Sequence, residues 1–408
     1  MKLREKFNLA YQYYQQNNWA AAERICRRIL EEIPQDFDAL HLLAVLEHLV
    51  GRNETAINLF HQVINLRPNS SQAYSNLGKI LKKEGRLEEA NAHYQKAISL
   101  QPSDSNNYSN LGLIFLEKGQ IESAIINYEK SREINPDNSC TNLNLGFAWE
   151  KKGDLSKAST YYQQAIKINP NYAEAWYNLG NILQKKGQVE AAIEHYQKSI
   201  ELQPNYAELY NNLGFIFSGL GKLAESQQYY EQALKLDKNH VNAHFGLAAV
   251  LLKQGDFIQG FSEYEWRCQS KDKITRNFSQ PVWNGSNFQG KTLLVYTEQG
   301  LGDSIQFIRY ISLVKKLGGR VIVECNQATL KLLFTTVSEI DELFVEGEIL
   351  PDFDLQISLM SLPRILGTTL ETIPRKIPYL SVPKLTHFHI PPTSEKQLKV
   401  GILRIYSS

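Results

Sequence analysis

The sequence predicts an all-α superhelical solenoid over residues 1–268, followed by a partial α/β domain over 291–408, and three observations predict it. Proline recurs every 34 residues, at Pro34, Pro68, Pro102, Pro136, Pro170 and Pro204. A strict period of this length marks repeats that stack on their neighbours. Inside the period, apolar and small residues return at helical spacing. Beyond residue 268 the period is lost, and β-rich runs alternate with helical ones, as in an open, mostly parallel α/β sheet.

Each repeat reads as two helices. In 71–104, Leu77, Gly78 and Leu81 share one face of a first helix, and Ala90, Tyr94 and Ala97 one face of a second. Gly85 separates the helices as a C-terminal glycine does, and Pro102 closes the second because proline cannot extend it. Gly78 and Ala90 let the backbones approach, with Tyr94 filling the space beside them. The segment 173–206 repeats the pattern with Trp176, Leu179, Gly180, Leu183, Gly187, Ala192, Tyr196, Ser199 and Pro204. One hairpin cannot bury its apolar face alone, so neighbours must stack. Lys238 takes the seventh proline slot while the pattern continues.

These motifs resemble the tetratricopeptide repeat. The resemblance covers roughly 3–268 as about eight repeats, starting near 3, 37, 71, 105, 139, 173, 207 and 241. The end repeats depart from it: Cys26 and Ile29 replace Tyr and Ala in the first, and Gly260 and Arg267 fill the alanine slots of the last. Terminal repeats are atypical because one of their sides meets no further repeat.

Asparagine holds the sixth position of five consecutive repeats, at Asn76, Asn110, Asn144, Asn178 and Asn212. Asn8 holds it in the first, while Leu42 and Gly246 interrupt it. Asparagine costs a helix interior roughly 0.5 kcal/mol or more relative to alanine. The preceding residue drifts through Ser75, Ser109, Leu143, Tyr177 and Asn211, so recent copying does not explain the recurrence. A row of carboxamides, each with donors and an acceptor, can hold a peptide main chain without reading its sequence. The alternative is that each Asn bonds to the adjacent repeat and sets its orientation. In tetratricopeptide superhelices this face lines the concave surface, and the arrays preceding O-linked N-acetylglucosamine transferases carry a similar ladder. The resemblance thus implies a peptide or protein segment as the partner. The tyrosines at Tyr94, Tyr128, Tyr162, Tyr196 and Tyr230 fall in one core slot, and the pairs Lys82-Lys83 and Lys185-Lys186 read as solvated helix ends.

Composition narrows the classes. Lys+Arg number 44 against 43 Asp+Glu, which argues against a polybasic nucleic-acid surface. Cys26, Cys140, Cys268 and Cys325 show no Cys-x-x-Cys spacing, so neither a zinc site nor a disulfide framework is expected, and a reducing cytoplasm fits. No apolar run approaches the ~18 residues of a membrane span. No cofactor is expected.

Residues 269–290 read as a linker punctuated by Pro281, Gly285 and Gly290. Strands are expected over 292–297, 320–325, 343–345 and 355–358, with helices from Asp303 to about Lys316 and from Ala328 to about Thr336. The first strand runs into Glu298-Gln299-Gly300-Leu301-Gly302-Asp303, where open α/β sheets place their sites. Glycines there allow a tight turn and close approach. Asp303 reads either as a general base or, with Gln306, as a helix capping box.

The string 298–310, preceded by Pro281-Val-Trp-Asn-Gly285 and extended by 361–366 and 377–380, resembles the start of the glycosyltransferase-like modules that follow tetratricopeptide arrays in many bacterial proteins. Its wider relatives are the heptosyltransferases, which have two Rossmann-like domains. The resemblance implies Asp303 as acceptor-side base, with Glu298, Gln299, Gly300 and Gly302 in the acceptor loop. His387 and His389 find no role in it. Residues 398–403 read as the strand opening a second, donor-binding half, and the continuation Arg404-Ile-Tyr-Ser-Ser408 departs from the pattern. The expectation is a peptide-binding scaffold carrying a truncated transferase-like domain, which uses a nucleotide-sugar only if a donor half is supplied elsewhere.

Overall fold

The computed structural model describes residues 3–269, 276, 278–298 and 300–381. The chain divides into two compact units, Met1–Leu209 and Tyr210–Ser408.

The first unit stacks six helical hairpins: α1 (Leu3–Gln15) with α2 (Trp19–Glu32), α3 (Phe37–Leu49) with α4 (Asn53–Leu66), α5 (Ser71–Lys83) with α6 (Leu87–Leu100), α7 (Ser105–Glu117) with α8 (Ile121–Ile134), α9 (Ser139–Lys151) with α10 (Leu155–Ile168), and α11 (Ala173–Lys185) with α12 (Val189–Leu202). Their first helices begin at the positions the proline period assigns. The reason is local. Two residues after the proline stands an N-cap, Asp36, Ser70, Asp104 or Asn138, whose side chain accepts a backbone N–H of the first turn. Inside each hairpin the turn glycine is left-handed, with φ of 83° at Gly51 and 75° at Gly85. In the first hairpin Asn17 takes that slot at φ 58°, and asparagine is among the few other residues that tolerate it.

The recurrent Gly–Tyr pair is a contact. A Cβ on Gly112, Gly146 or Gly180 would lie 2.7, 2.5 and 2.7 Å from the rings of Tyr128, Tyr162 and Tyr196. These rings are wholly buried. Gly146→Ala is therefore expected to destabilise the array. Overpacking costs about 1–3 kcal/mol, and the gain in helix propensity offsets at most about 1 kcal/mol. Urea unfolding followed by circular dichroism would show a lower midpoint, and an unchanged or higher midpoint would refute the packing account.

The second unit begins within α13 (Ala207–Gly219), which α14 (Leu223–Leu236) follows, and then come α15 (Val241–Gln254) and α16 (Phe257–Tyr264). A 3-10 turn, Glu265–Gln269, closes this last hairpin. Then come β1 (Thr292–Tyr296), α17 (Leu301–Phe307), α18 (Ile311–Lys315), β2 (Arg320–Cys325), α19 (Ala328–Phe334), β3 (Glu342–Val345), β4 (Leu355–Ser358) and α20 (Leu362–Ile365). The four strands form one parallel sheet in the order β3-β2-β1-β4. Leu293, Val295, Val321 and Val323 are fully buried in its core.

One expectation needs correction, and two further features describe how the second unit is built. The stretch read as a linker ends inside the fold: Trp283 and Phe288 are core residues, and Val282 bridges to Gln356 beside β4. The helix expected from Asp303 starts at Leu301 and is broken by a 3-10 turn at Ile308–Tyr310. Phe307, Ile308, Tyr310 and Ile311 are all buried, an arc wider than one helical stripe can present. Asp303 therefore lies inside the first turn, Gly300 is the N-cap without a side-chain bond, and no Asp303–Gln306 capping box forms. The period is lost near 268, within the second compact unit. Leu252, Phe257, Phe261 and Tyr264 of the last hairpin pack into the α/β core, which makes that hairpin part of the second unit.

Candidate functional site

In the first unit the first helices of consecutive repeats touch one another, α3 with α5, α5 with α7 and α7 with α9. One face is thus built from first helices. Asn76, Asn110, Asn144 and Asn178 sit at equivalent positions on α5, α7, α9 and α11, each half-buried. Asn212 is half-buried on α13 in the second unit. Leu77, Leu111 and Leu179, each one residue on, are buried and fix the rotation of their helices. Among the described residues, Asn76 is the one member of this row in the first unit that bonds to a neighbouring repeat, its Nδ2 lying 3.2 Å from His41 Nε2. Burial lowers the pKa of His41, so the ring is neutral near pH 7 and Nε2 can accept. Asn144 Nδ2 has only a long contact of 3.9 Å to Cys140 Sγ, one turn back. Asn110 and Asn178 make no side-chain hydrogen bond among the described residues. Repeat-to-repeat polar ties lie elsewhere. Lys82 Nζ reaches Glu117 at 3.4 Å and Lys185 Nζ reaches Glu150 at 2.6 Å, so these lysines are paired across repeats rather than only solvated.

The second candidate region is at the carboxyl ends of β1 and β4, neighbours in the sheet. From β1 the chain steps to β2 and β3 on one side, then crosses back from β3 to β4 on the other side of β1, so the order of strands reverses here. Glu298, two residues past β1, accepts from Ser358 Oγ at the end of β4 at 2.6 Å and from Arg267 Nε at 2.7 Å. Arg267 also donates to Glu265 at 2.6 Å and to Ser361 at 2.8 Å. Burial opposes its charge, but the Glu298 and Glu265 carboxylates outweigh that and raise its pKa above the ordinary arginine value. Sequence reasoning noticed Arg267 as a departure in an alanine slot and missed this cluster. Its partners lie 31 and 94 residues away, across the break in the period.

Gly300 has φ −63° and Gly302 is not among the left-handed glycines, so this loop does not need glycine for its turn. A Cβ on either would meet nothing within 4 Å among the described residues, which leave the space over the loop open. Asp303 is half-buried, and the Ser304 hydroxyl next to it is buried without a partner among the described residues. Gln299, His387, His389 and the strand expected at 398–403 lie outside the described residues. Among the described residues no cluster of His, Cys, Asp and Glu could hold a metal ion, and no helix is long and apolar enough to cross a membrane.

Hairpins of 34 residues, the left-handed glycine between their helices and the buried Gly–Tyr contact define a tetratricopeptide repeat scaffold. The chain belongs to the family described as the cilia and flagella-associated protein 70 C-terminal domain, whose model matches residues 51–271, just over half of its 408 residues. The match ends before β1. Protein FlbA of Caulobacter vibrioides is 35% identical over 77 residues, which is 18% of this chain and 13% of FlbA. The chain thus matches only a small part of that relative's length. Among solved structures, YrrB, titled a TPR protein with an unusual peptide-binding site, is 24% identical over 45% of this chain and 95% of its own, with a TM-score of 0.39. The C-terminal part of a TPR repeat-containing protein from Cytophaga hutchinsonii is 19% identical over 59% of this chain and 99% of its own, with a TM-score of 0.48.

Proposed function

We propose that the repeat array binds a peptide or protein segment along the first-helix face, with Asn76, Asn110, Asn144 and Asn178 bonding to its main chain, and that Asn212, at the same repeat position in the second unit, has the same role there. The observation that carries this reading is the state of Asn110 and Asn178. They are half-buried at unfavourable helix-interior positions, with their donors and acceptors unused within the described protein. A residue retained to orient the next repeat would be bonded to it. Phe147, one turn from Asn144 and 39% exposed, adds an apolar contact beside the amides. The four cysteines are free, which fits a reducing cytoplasm. The test is calorimetric titration of a long blocked peptide of Gly, Ser and Ala into the full chain and into its Asn110/Asn144/Asn178→Ala variant. Loss of binding with unchanged helicity supports the reading.

One observation favours a second reading, glycosyl transfer. The loop bearing Glu298, Gly300, Gly302 and Asp303 stands at a point where strand connections diverge, beside open space, the usual place of a site in an open parallel sheet. In that reading Asp303 is the acceptor-side base, Gln299 belongs to the acceptor loop, and a nucleotide-sugar is the donor. Titrating the chain alone with nucleotide-sugars separates the two. Scaffold function predicts no saturable heat, and micromolar binding would establish a donor site in this chain.

A further inference from the structure

A cavity of about 500 Å3 opens among the first three hairpins, where Leu42 interrupts the asparagine row. Its volume falls within the range of small-ligand sites, roughly 300–1,000 Å3. Much of its wall is aromatic. On α1, Phe7, Tyr11 and Tyr14 follow at one-turn spacing, with ring centroids 6.5 and 5.8 Å apart. Phe37 and Phe60 flank His41 at 5.8 and 5.4 Å. Tyr11 is 45% exposed and Leu49 is 41% exposed, so the wall is open to a ligand.

Polar groups share the wall, His48 and Ser70 among them, and its one carboxylate is balanced by its one ammonium. Asp38 and Lys79 carry opposite charges, and His41 is neutral. No net charge is therefore offered to an anion or a cation. Gln72 and Asn76 contribute amides to the same wall, and the Asn76 oxygen has no bond among the described residues. An uncharged ligand with a large apolar group and peptide amides matches this combination, because rings take the apolar part and amides take the main chain. We infer that this cavity is an anchor pocket for an uncharged peptide segment carrying an aromatic or large aliphatic side chain, continuous with the asparagine row that begins at Asn76. The inference rests on the proposed peptide-binding function and adds a preference for particular side chains to a row that reads only main chain.

The test is isothermal titration of the full chain with the blocked peptide acetyl-Gly-Ser-Trp-Leu-Gly-amide and with its counterpart bearing Ala for both Trp and Leu. The Trp-Leu peptide is expected to bind at least about tenfold more tightly. Leu49→Trp, which places an indole in the cavity from an exposed position, and Tyr11→Ala should each weaken it by about tenfold or more. Whatever overall affinity the Asn110/Asn144/Asn178→Ala variant loses, its affinity ratio between the two peptides should equal the parent's, so failure of the asparagine reading and failure of this one are read separately. Far-UV circular dichroism checks each variant, and if Leu49→Trp unfolds, Tyr11→Ala decides. Equal affinity for the two peptides overturns the inference, as do folded variants that bind the Trp-Leu peptide like the parent. Oleate binding that Leu49→Trp abolishes, with no response to either peptide, overturns it in favour of a lipid site.

Discussion

Replacing Arg267 with methionine is expected to destabilise the second unit by about 3–5 kcal/mol, the cost of removing one partner from a buried ion pair. The Arg267 side chain is 6% exposed and that of Glu298 14%. Methionine fills similar volume but leaves Glu298, among the described residues, with Ser358, and Glu265 with Ser361 and Arg364. The position explains why arginine is there. Earlier repeats hold Ala97, Ser131, Ala165, Ser199 and Ala233 in this slot, against which the next repeat packs, as Ser131 Oγ does with Thr141 Oγ1 at 3.1 Å. After the last hairpin the ends of β1 and β4 take the place of a next repeat, and a long cation reaches their polar groups. Hydrogen exchange should quicken at amides of β1 and β4, while amides of the first unit keep their rates. Adding Glu298→Gln should recover part of the loss, because the uncompensated charge is then gone. Unchanged exchange in β1 and β4 would show that the pair contributes nothing.

The helical part of the fold was legible because its signals are local and repeated. The proline, the turn glycine and the Gly–Tyr pair act within one 34-residue unit, so each copy reinforces the others. The N-caps at Asp36, Ser70, Asp104 and Asn138 carried the same period and could have been read from it. The aromatic spacing Phe7, Tyr11, Tyr14 was visible too, but a cavity depends on what α3 and α5 leave unfilled. In the α/β part the strands were legible by their β-branched runs. What was not legible is what distant segments do together. The partners of Arg267, the burial of Trp283 and the 3-10 break after Phe307 follow from packing between segments that share no period. The asparagine row stands between these cases. Its recurrence is written in the sequence, while the missing partners of Asn110 and Asn178 are seen only in three dimensions.

That pairing of recurrence with unused bonding capacity gives the Asn110/Asn144/Asn178→Ala variant opposite signs for its two readouts. If the amides serve a ligand, each lost main-chain hydrogen bond costs about 0.5–1.5 kcal/mol of binding. Three lost bonds amount to roughly 3 kcal/mol, or about a hundredfold in affinity. Folding should respond the other way. Alanine is favoured over asparagine in a helix interior by roughly 0.5 kcal/mol or more per site. Among the described residues none of the three asparagines has a protein bond shorter than the 3.9 Å contact of Asn144 to set against that gain. The variant should therefore melt at the same temperature or higher while losing the peptide. If the asparagines instead orient neighbouring repeats, both readouts fall together, because a mis-stacked array loses stability along with its binding face. Asn76→Ala provides an internal contrast. This amide does bond across a repeat, to His41, so its removal leaves a half-buried ring nitrogen without its donor. It should lower the melting temperature where the other three do not, and a parallel fall at all four positions would assign the whole row to structure.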